Sequence, residues 1–377
     1  MADRALVIGG TGPTGPAIVR GLAARGYQVA VLHTGQHEAD FGLPAAAVEH
    51  IHEDPHFAET LQRGIEGRTF DLTVAQYGRL RVVSDVMAGR TARLVAIGGA
   101  TGIYGGDDDE RWGGMGRPAL FPETARIYRD NAGPDGTEKI GLRMVQAMDN
   151  LFDHHERGDY AATYVMYPVN YGPRNPGPYD WAIVRRILDG RRRVIVADGG
   201  AKLESRVFSG NAAQAVLLVI DNPGRAAGKK YTVADRYAYT MRQRIEFIAK
   251  CLDAELELVD MPYDVAWPCH PYWRRSRDHK LCLSTLIREE LGSEEATEPA
   301  DGFAQTVAWL AANRPEPGGE AERQVGDPFD YAAEDELAGR WLAAREKFGP
   351  VESRLPAAGH QYRHPKTPGE AWRPAAR

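Results

Sequence analysis

Leu6-Val7-Ile8-Gly9-Gly10-Thr11-Gly12-Pro13-Thr14-Gly15 decides how the rest of the chain is organised. An apolar run, Ala5 to Ile8, breaks into a glycine cluster. Beyond Gly15 the apolar positions Ile18, Val19 and Leu22 fall at helical spacing. The spacing therefore predicts a strand, a tight turn and a helix. Gly10, Gly12 and Gly15 fit the pattern G-x-G-x-x-G, in which absent side chains let a backbone turn sharply and approach a pyrophosphate at a helix N-terminus. Pro16 sits just inside the helix, where its missing N–H costs nothing. A second apolar strand, Val29 to Leu32, follows at the distance a dinucleotide-binding βαβ unit requires. A glycine-rich turn between ordinary elements is the plain alternative.

The chain has 377 residues, enough for one large domain or two moderate ones. No apolar run approaches the roughly 20 residues needed to cross a bilayer, and Met1-Ala-Asp-Arg leads straight into the first strand without a secretory signal. A cytoplasmic protein with no membrane partner is expected. The three cysteines, Cys251, Cys269 and Cys282, are too few and too irregular for a disulfide framework or a zinc site, and no metal is expected; Cys269-His270 is set aside as a metal pair. A net charge of −6 argues against nucleic acid as partner. The basic run Arg185-Arg186 and Arg191-Arg192-Arg193 falls at the end of a predicted helix, where cations favour the helix dipole.

After the second strand, His33-Thr34-Gly35-Gln36 occupies the position where an acid commonly binds the adenosine ribose of NAD. With no acid there, the extra phosphate of NADP is not repelled; with no arginine, it is not gripped. NAD or NADP is expected, with a slight lean to NADP. Asp54, after the strand Val48 to Ile51, is placed either against the adenine amino group or as a helix cap before Phe57. Phe70 to Ala75 reads as a fourth strand, Leu80 to Met87 as a helix and Ala92 to Ile97 as a fifth strand. Strands alternating with helices at this rhythm predict a parallel sheet covered on both faces, with ligands across the carboxyl ends of its strands. Residues 104–134 read as a long loop over the site. Helical spacing returns from Ile140 to Leu151, and a strand, Ala161 to Tyr167, leads to Pro168-Val-Asn-Tyr-Gly-Pro-Arg174.

The second half has shorter elements. Helices are predicted over Trp181–Leu188, Asn211–Ile220 and Met241–Leu252, and strands at Arg193–Val196, Lys230–Val233 and Leu256–Val259. Arg314 to Gly326, rich in Pro, Gly and Glu, reads as a linker, followed by a helix over Ala333–Lys347 and a polar tail. The expected architecture is α/β: a Rossmann-type doubly wound parallel sheet over residues 1–175 and a smaller C-terminal α/β substrate domain over 176–312. Some of its segments are allowed to return to the Rossmann core. A linker, helix and polar tail complete the chain over 313–377.

Gly9-x-x-Gly12-x-x-Gly15, Ile103-Tyr104-Gly105, Tyr171-Gly-Pro-Arg174, and Asp198-Gly199 followed by Arg206-Val-Phe208 stand in an order and spacing that resembles the extended short-chain dehydrogenase/reductase superfamily, in its NAD-dependent epimerase/dehydratase group. The resemblance covers roughly residues 4 to 312. It implies a nicotinamide cofactor touching Gly9, Thr11, Gly12, Pro13, Thr14, Gly15, His33, Thr34, Asp54, Ala75, Lys139 and Pro168. It implies a small-molecule substrate between the domains near Asn170 and Arg206, and a homodimer formed through the helices Leu80–Met87 and Ile140–Leu151.

Members of this group usually work through a Tyr whose phenol is made acidic enough by a Lys four residues later, together with a Ser or Thr after the fifth strand. Here Lys139 stands at the lysine position, but Asp135 replaces the Tyr, and Ala100 occupies the serine position with Thr101 beside it. Tyr104, Tyr128, Thr101 and Asp135 are therefore the candidates for the missing acid–base group, with Lys139 as their partner. Two functions stay open. One is an NAD(P)-dependent oxidoreductase or epimerase/dehydratase-type enzyme with a non-standard acid–base residue. The other is a non-catalytic NAD(P)-binding sensor. A third, an RNA-associated protein, is disfavoured by the acidic charge.

Overall fold

The computed structural model describes residues 2–76, 78–100, 119–121, 123, 137–269, 271, 279–350 and 367–370. The chain divides into two compact units, Met1–Tyr331 and Ala332–Arg377. Of the second, the described residues form most of the helix Tyr331–Phe348.

The first unit is built on β1 (Arg4–Ile8), β2 (Gln28–His33), β3 (Val48–His52), β4 (Leu72–Ala75) and β5 (Arg93–Gly99), joined by the strands Ala161–Tyr167 and Lys229–Thr232. These seven lie in one sheet in the order Lys229–Thr232, Ala161–Tyr167, β5, β4, β1, β2, β3. Every neighbouring pair runs parallel. This is a Rossmann-type α/β fold. Because successive residues of a strand point to opposite faces, Leu6 and Ile8 of β1 enter one core with Leu32, Leu61, Leu94 and Met148. Ala5 and Val7 enter another with Val29, Val31, Ile18 and Val216. Both faces are apolar, so the strands read as unbroken hydrophobic runs rather than alternating ones.

The helices α1 (Gly15–Ala24), α2 (Ala58–Gly64), α3 (Leu80–Met87), α4 (Thr137–Glu156), α5 (Trp181–Leu188) and α6 (Ser209–Asp221) follow in chain order. α1 packs on α6 so closely that a Cβ on Gly21 would lie 2.3 Å from Leu217. α3 and α4 are tied by Asn150 and His154, both 3.0 Å from Asp85. Beyond the sheet, α5 joins the strand Arg193–Ala197 and the helices Met241–Cys251 and Pro299–Ala312 around Trp181, Ile187, Ile245 and Leu310. Glu257–Met261 pairs in parallel with Arg193–Ala197.

Two segments differ from their sequence reading. The stretch Arg314 to Gly326 is not merely a linker: it contains the helix Glu320–Val325. Trp181 Nε1 donates to Glu322 at 2.9 Å, and Arg185 pairs with the same carboxylate, so a polar segment is drawn in by buried polar contacts rather than apolar ones. The basic run is also more than a cationic helix end. Arg186 is 1% exposed, holds Asp327 through two hydrogen bonds of 2.7 and 3.0 Å, and lies over the Phe329 ring. Among the described residues no helix is long and apolar enough to cross a membrane.

Candidate functional site

The order of the sheet reverses at β1: one connection runs outward through β2 to β3, the other through β4 to β5. A crevice opens at such a reversal, beyond the carboxyl ends of the two central strands. The glycine turn is built to occupy it. Gly9 has φ of 98°, a conformation that favours glycine, and its N–H donates to the Leu32 carbonyl at 2.8 Å, pinning the turn to β2. A Cβ on Gly15 would fall 2.1 Å from the Gly10 carbonyl oxygen, so the first turn of α1 can approach the end of β1 only without a side chain there. Around Gly12, by contrast, a Cβ would meet nothing within 4 Å. Gly10 and Gly15 are required by the fold itself. Gly12 faces open space at the start of a helix, where a ligand's backbone approach would make use of its bareness.

Thr14 is 5% exposed, and its hydroxyl donates at 2.7 Å to Gln76 Oε1, directly after β4. The other end of that amide, Gln76 Nε2, is buried and has no hydrogen-bond partner among the described residues. Buried donors are nearly always satisfied, and this one stands at the mouth of the crevice, where a polar atom of a ligand would meet it. The open space at Gly12, the helix N-terminus and this donor fit a dinucleotide's phosphate and polar groups.

At the outer end of the crevice, His33 closes β2 and is 3% exposed; Thr34 follows it half-buried. Burial pushes the His33 ring below its usual pKa. Asp54 accepts the His56 amide at 2.9 Å and the His56 ring at 2.7 Å, and those bonds hold its carboxyl below the usual range. It stabilises the turn ahead of α2, whose N-cap is Phe57. Ala75, at the end of β4, and Pro168, after the strand Ala161–Tyr167, are both buried. Lys139 lies inside the first turn of α4 rather than just before it. Its side chain, with Thr101, Tyr104, Tyr128 and Asp135, falls outside the described residues. Ala100 is fully buried, and its N–H donates to the Tyr167 carbonyl at 2.6 Å.

The two expected substrate contacts lie on a short parallel pair, Val169–Tyr171 with Arg206–Phe208. Asn170 is half-buried and accepts the Asn175 amide at its carbonyl and its side-chain oxygen, at 2.7 and 3.1 Å. Arg206 is buried between two acids: Asp180 at 3.2 Å and Glu204 at 3.7 Å, with Arg244 4.0 Å from Glu204. Its charge is balanced within the protein. Behind this pair, Tyr171 stacks on Phe303 with centroids 4.2 Å apart and donates its hydroxyl to Asp235 at 2.7 Å. Asp235 also accepts the Phe208 amide at 3.1 Å, and burial raises its pKa to about 6. Sequence reasoning did not single out Asp180, Glu204 or Asp235; acids scattered over 55 positions carry no local signal.

The described residues thus define a Rossmann-type α/β fold with the glycine turn at the switch point of its sheet. Solved structures sharing it include the UDP-glucose 4-epimerase of Thermotoga maritima in complex with UDP-glucose, at 17% identity and TM-score 0.63 over 83% of this chain and 100% of that one. The dTDP-glucose 4,6-dehydratase DesIV of Streptomyces venezuelae, bound to NAD, is similar at 21% identity and TM-score 0.62, over 82% of this chain and 98% of that one. The UDP-glucuronic acid 4-epimerase of Bacillus cereus, also with NAD, aligns at 11% identity and TM-score 0.61, over 83% of this chain and 100% of that one. No family model matches the chain, and no curated protein matches it in sequence.

Proposed function

We propose that the protein is an NAD(P)-dependent oxidoreductase or epimerase/dehydratase-type enzyme that acts on a small organic substrate with a non-standard acid–base residue. The observation that carries this reading is the crevice at the β1/β4 reversal, with Gly12 open to it and Gln76 Nε2 left without a partner. The structural neighbours that hold NAD support it. The turn Gly9–Gly15 holds the pyrophosphate, with Pro13 and Thr11 lining it; His33, Thr34 and Asp54 attend the adenosine end; Ala75 and Pro168 pack along the cofactor. When bound, the nicotinamide supplies hydride exchange. The chain's own part is to orient that ring, exclude water and move one proton at the substrate oxygen. The proton falls to Tyr104, Tyr128, Thr101 or Asp135, with the Lys139 ammonium setting the pKa of the group and touching the ribose. Asn170 and Arg206 edge the substrate space, which the segment 176–312 completes. A homodimer through α3 and α4 belongs to the same reading.

A second reading is favoured by Ala100. At the position where a hydroxyl would polarise a carbonyl, a fully buried methyl offers no donor. With Asp135 in place of the Tyr, a dinucleotide sensor without turnover follows. Purified protein with NADH or NADPH separates the two. The enzyme oxidises the cofactor with some member of a carbonyl panel, and Lys139→Met depresses that rate. Tight binding without turnover over the whole panel supports the sensor. No binding of either coenzyme overturns both.

A further inference from the structure

At the outer edge of the sheet, β2 and β3 place three imidazoles on one face. His50 and His52 are two apart on β3, so they project to the same side. His33 stands directly beside His52 in the parallel register. The loop after β2 brings a carboxylate over them. It is anchored by Phe41, which is 5% exposed, packs its ring 5.6 Å from His50 and has its carbonyl held by Arg20. From this loop Glu38 lies 3.8 Å from His50 Nδ1 and 3.4 Å from His52 Nε2, while His33 Nε2 lies 3.0 Å from His50 Nδ1.

We propose that His33, Glu38, His50 and His52 bind one divalent transition-metal ion, best matched by Zn2+. Four donor atoms, one from each residue, lie within 4.8 Å of one another. In a tetrahedral site with metal–ligand bonds of about 2.0–2.1 Å, neighbouring donors sit about 3.3–3.4 Å apart. The contacts at 3.0, 3.4 and 3.8 Å lie close to that edge, the last two through different oxygens of Glu38, and donors that all lie within 4.8 Å of one another are drawn onto one ion by rotation of the carboxylate and the imidazoles. Three imidazoles and one carboxylate are a donor set suited to zinc rather than to calcium or magnesium, which prefer oxygen. Ligation through Nε2 moves the His33 proton to Nδ1, so the approach of the Gly35 amide at 3.3 Å is given up. The sequence reading, which expected no metal, looked for cysteine spacing and passed over His-x-His on a strand.

The test uses the full chain without an affinity tag, stripped with chelator and titrated with Co2+ alone and then Zn2+. The expected result is one equivalent of Co2+ with the intense visible bands of a low-coordinate site, abolished by one equivalent of Zn2+. His50→Gln, His52→Gln and Glu38→Gln each weaken binding by at least about 10-fold, the scale on which even supporting residues act. Their side chains are partly or largely exposed, so their metal-free melting temperatures stay at the wild-type value. His154→Gln, away from the cluster, binds as wild type. Absence of the bands in the wild type overturns the proposal. So does unchanged affinity in His50→Gln/His52→Gln, or equal loss in His154→Gln. Cofactor plays no part in the titration, so its result is independent of the dinucleotide reading.

Discussion

The Thr14 hydroxyl donates to Gln76 Oε1 at 2.7 Å, and this bond joins the glycine turn after β1 to the end of β4 across the reversal of the sheet. It fixes the Gln76 amide so that Nε2 is left as a buried donor. Removing a neutral hydrogen bond costs about 1 kcal/mol, a factor of about 5 in an equilibrium constant. Gln76→Ala loses both the tether and the donor, and should weaken NADH binding by about 5- to 30-fold, read by quenching or energy transfer at the reduced cofactor. Thr14→Val loses the tether alone and should have the smaller effect. Equal, undiminished affinity in both variants would remove Gln76 from the site.

Gly12 and Gly15 should separate binding from folding. A side chain at Gly12 enters open space, so Gly12→Leu should melt at the wild-type temperature yet bind neither coenzyme. A Cβ at Gly15 collides with the Gly10 carbonyl, backbone that has no alternative position. Gly15→Ala should therefore lower stability by about 1–3 kcal/mol, as overpacking does. Paired thermal melts and cofactor titrations distinguish the two. A Gly12→Leu protein that still binds dinucleotide would falsify the assignment of the crevice.

Local periodicity made the central sheet legible. α3 at Leu80–Met87, α5 at Trp181–Leu188 and the strand Ala161–Tyr167 run between the residues that their hydrophobic spacing indicates. What escaped the sequence is what distance assembles. Leu120–Phe121 becomes a strand only by pairing with Leu281–Cys282, 161 positions on. Glu320–Val325 is helical because its Glu322 reaches Trp181 and Arg185, a contact no composition window contains. The His33, His50 and His52 cluster was closer to hand. Its signal is local: two histidines, His50 and His52, at alternate positions on the edge strand β3.

Arg206 and Asp180 form a buried pair at 3.2 Å, each almost inaccessible. Breaking such a pair from one side strands the other charge and costs about 3–5 kcal/mol. Arg206→Met should thus unfold at markedly lower urea concentration than wild type. Arg206→Met/Asp180→Leu should recover part of the loss, because no lone charge at that pair is left. The measurement is a set of urea midpoints. Full stability in Arg206→Met would show that the guanidinium's role lies with a ligand rather than with the fold.

Asp235 makes stability depend on pH in an unusual direction. Burial raises its pKa to about 6, although Tyr171 and the Phe208 amide both donate to it. An unfolded aspartate titrates near 3.9, roughly. Between these values the folded protein holds a proton that the unfolded chain has released, so this residue's contribution to stability falls as pH rises. It is fully present below about pH 4 and gone above about pH 6. The loss is about 3 kcal/mol for a shift of about two units. Asp235→Asn removes the titration while keeping an acceptor for the Phe208 amide and a donor that the Tyr171 oxygen can accept. Relative to wild type, this variant should be equally stable near pH 4 and more stable by about 3 kcal/mol at pH 7. Chemical denaturation of both proteins across that range measures the difference directly. Parallel stability curves would mean that Asp235 is already ionised in the fold at pH 4, its charge compensated by the hydroxyl and amide that surround it.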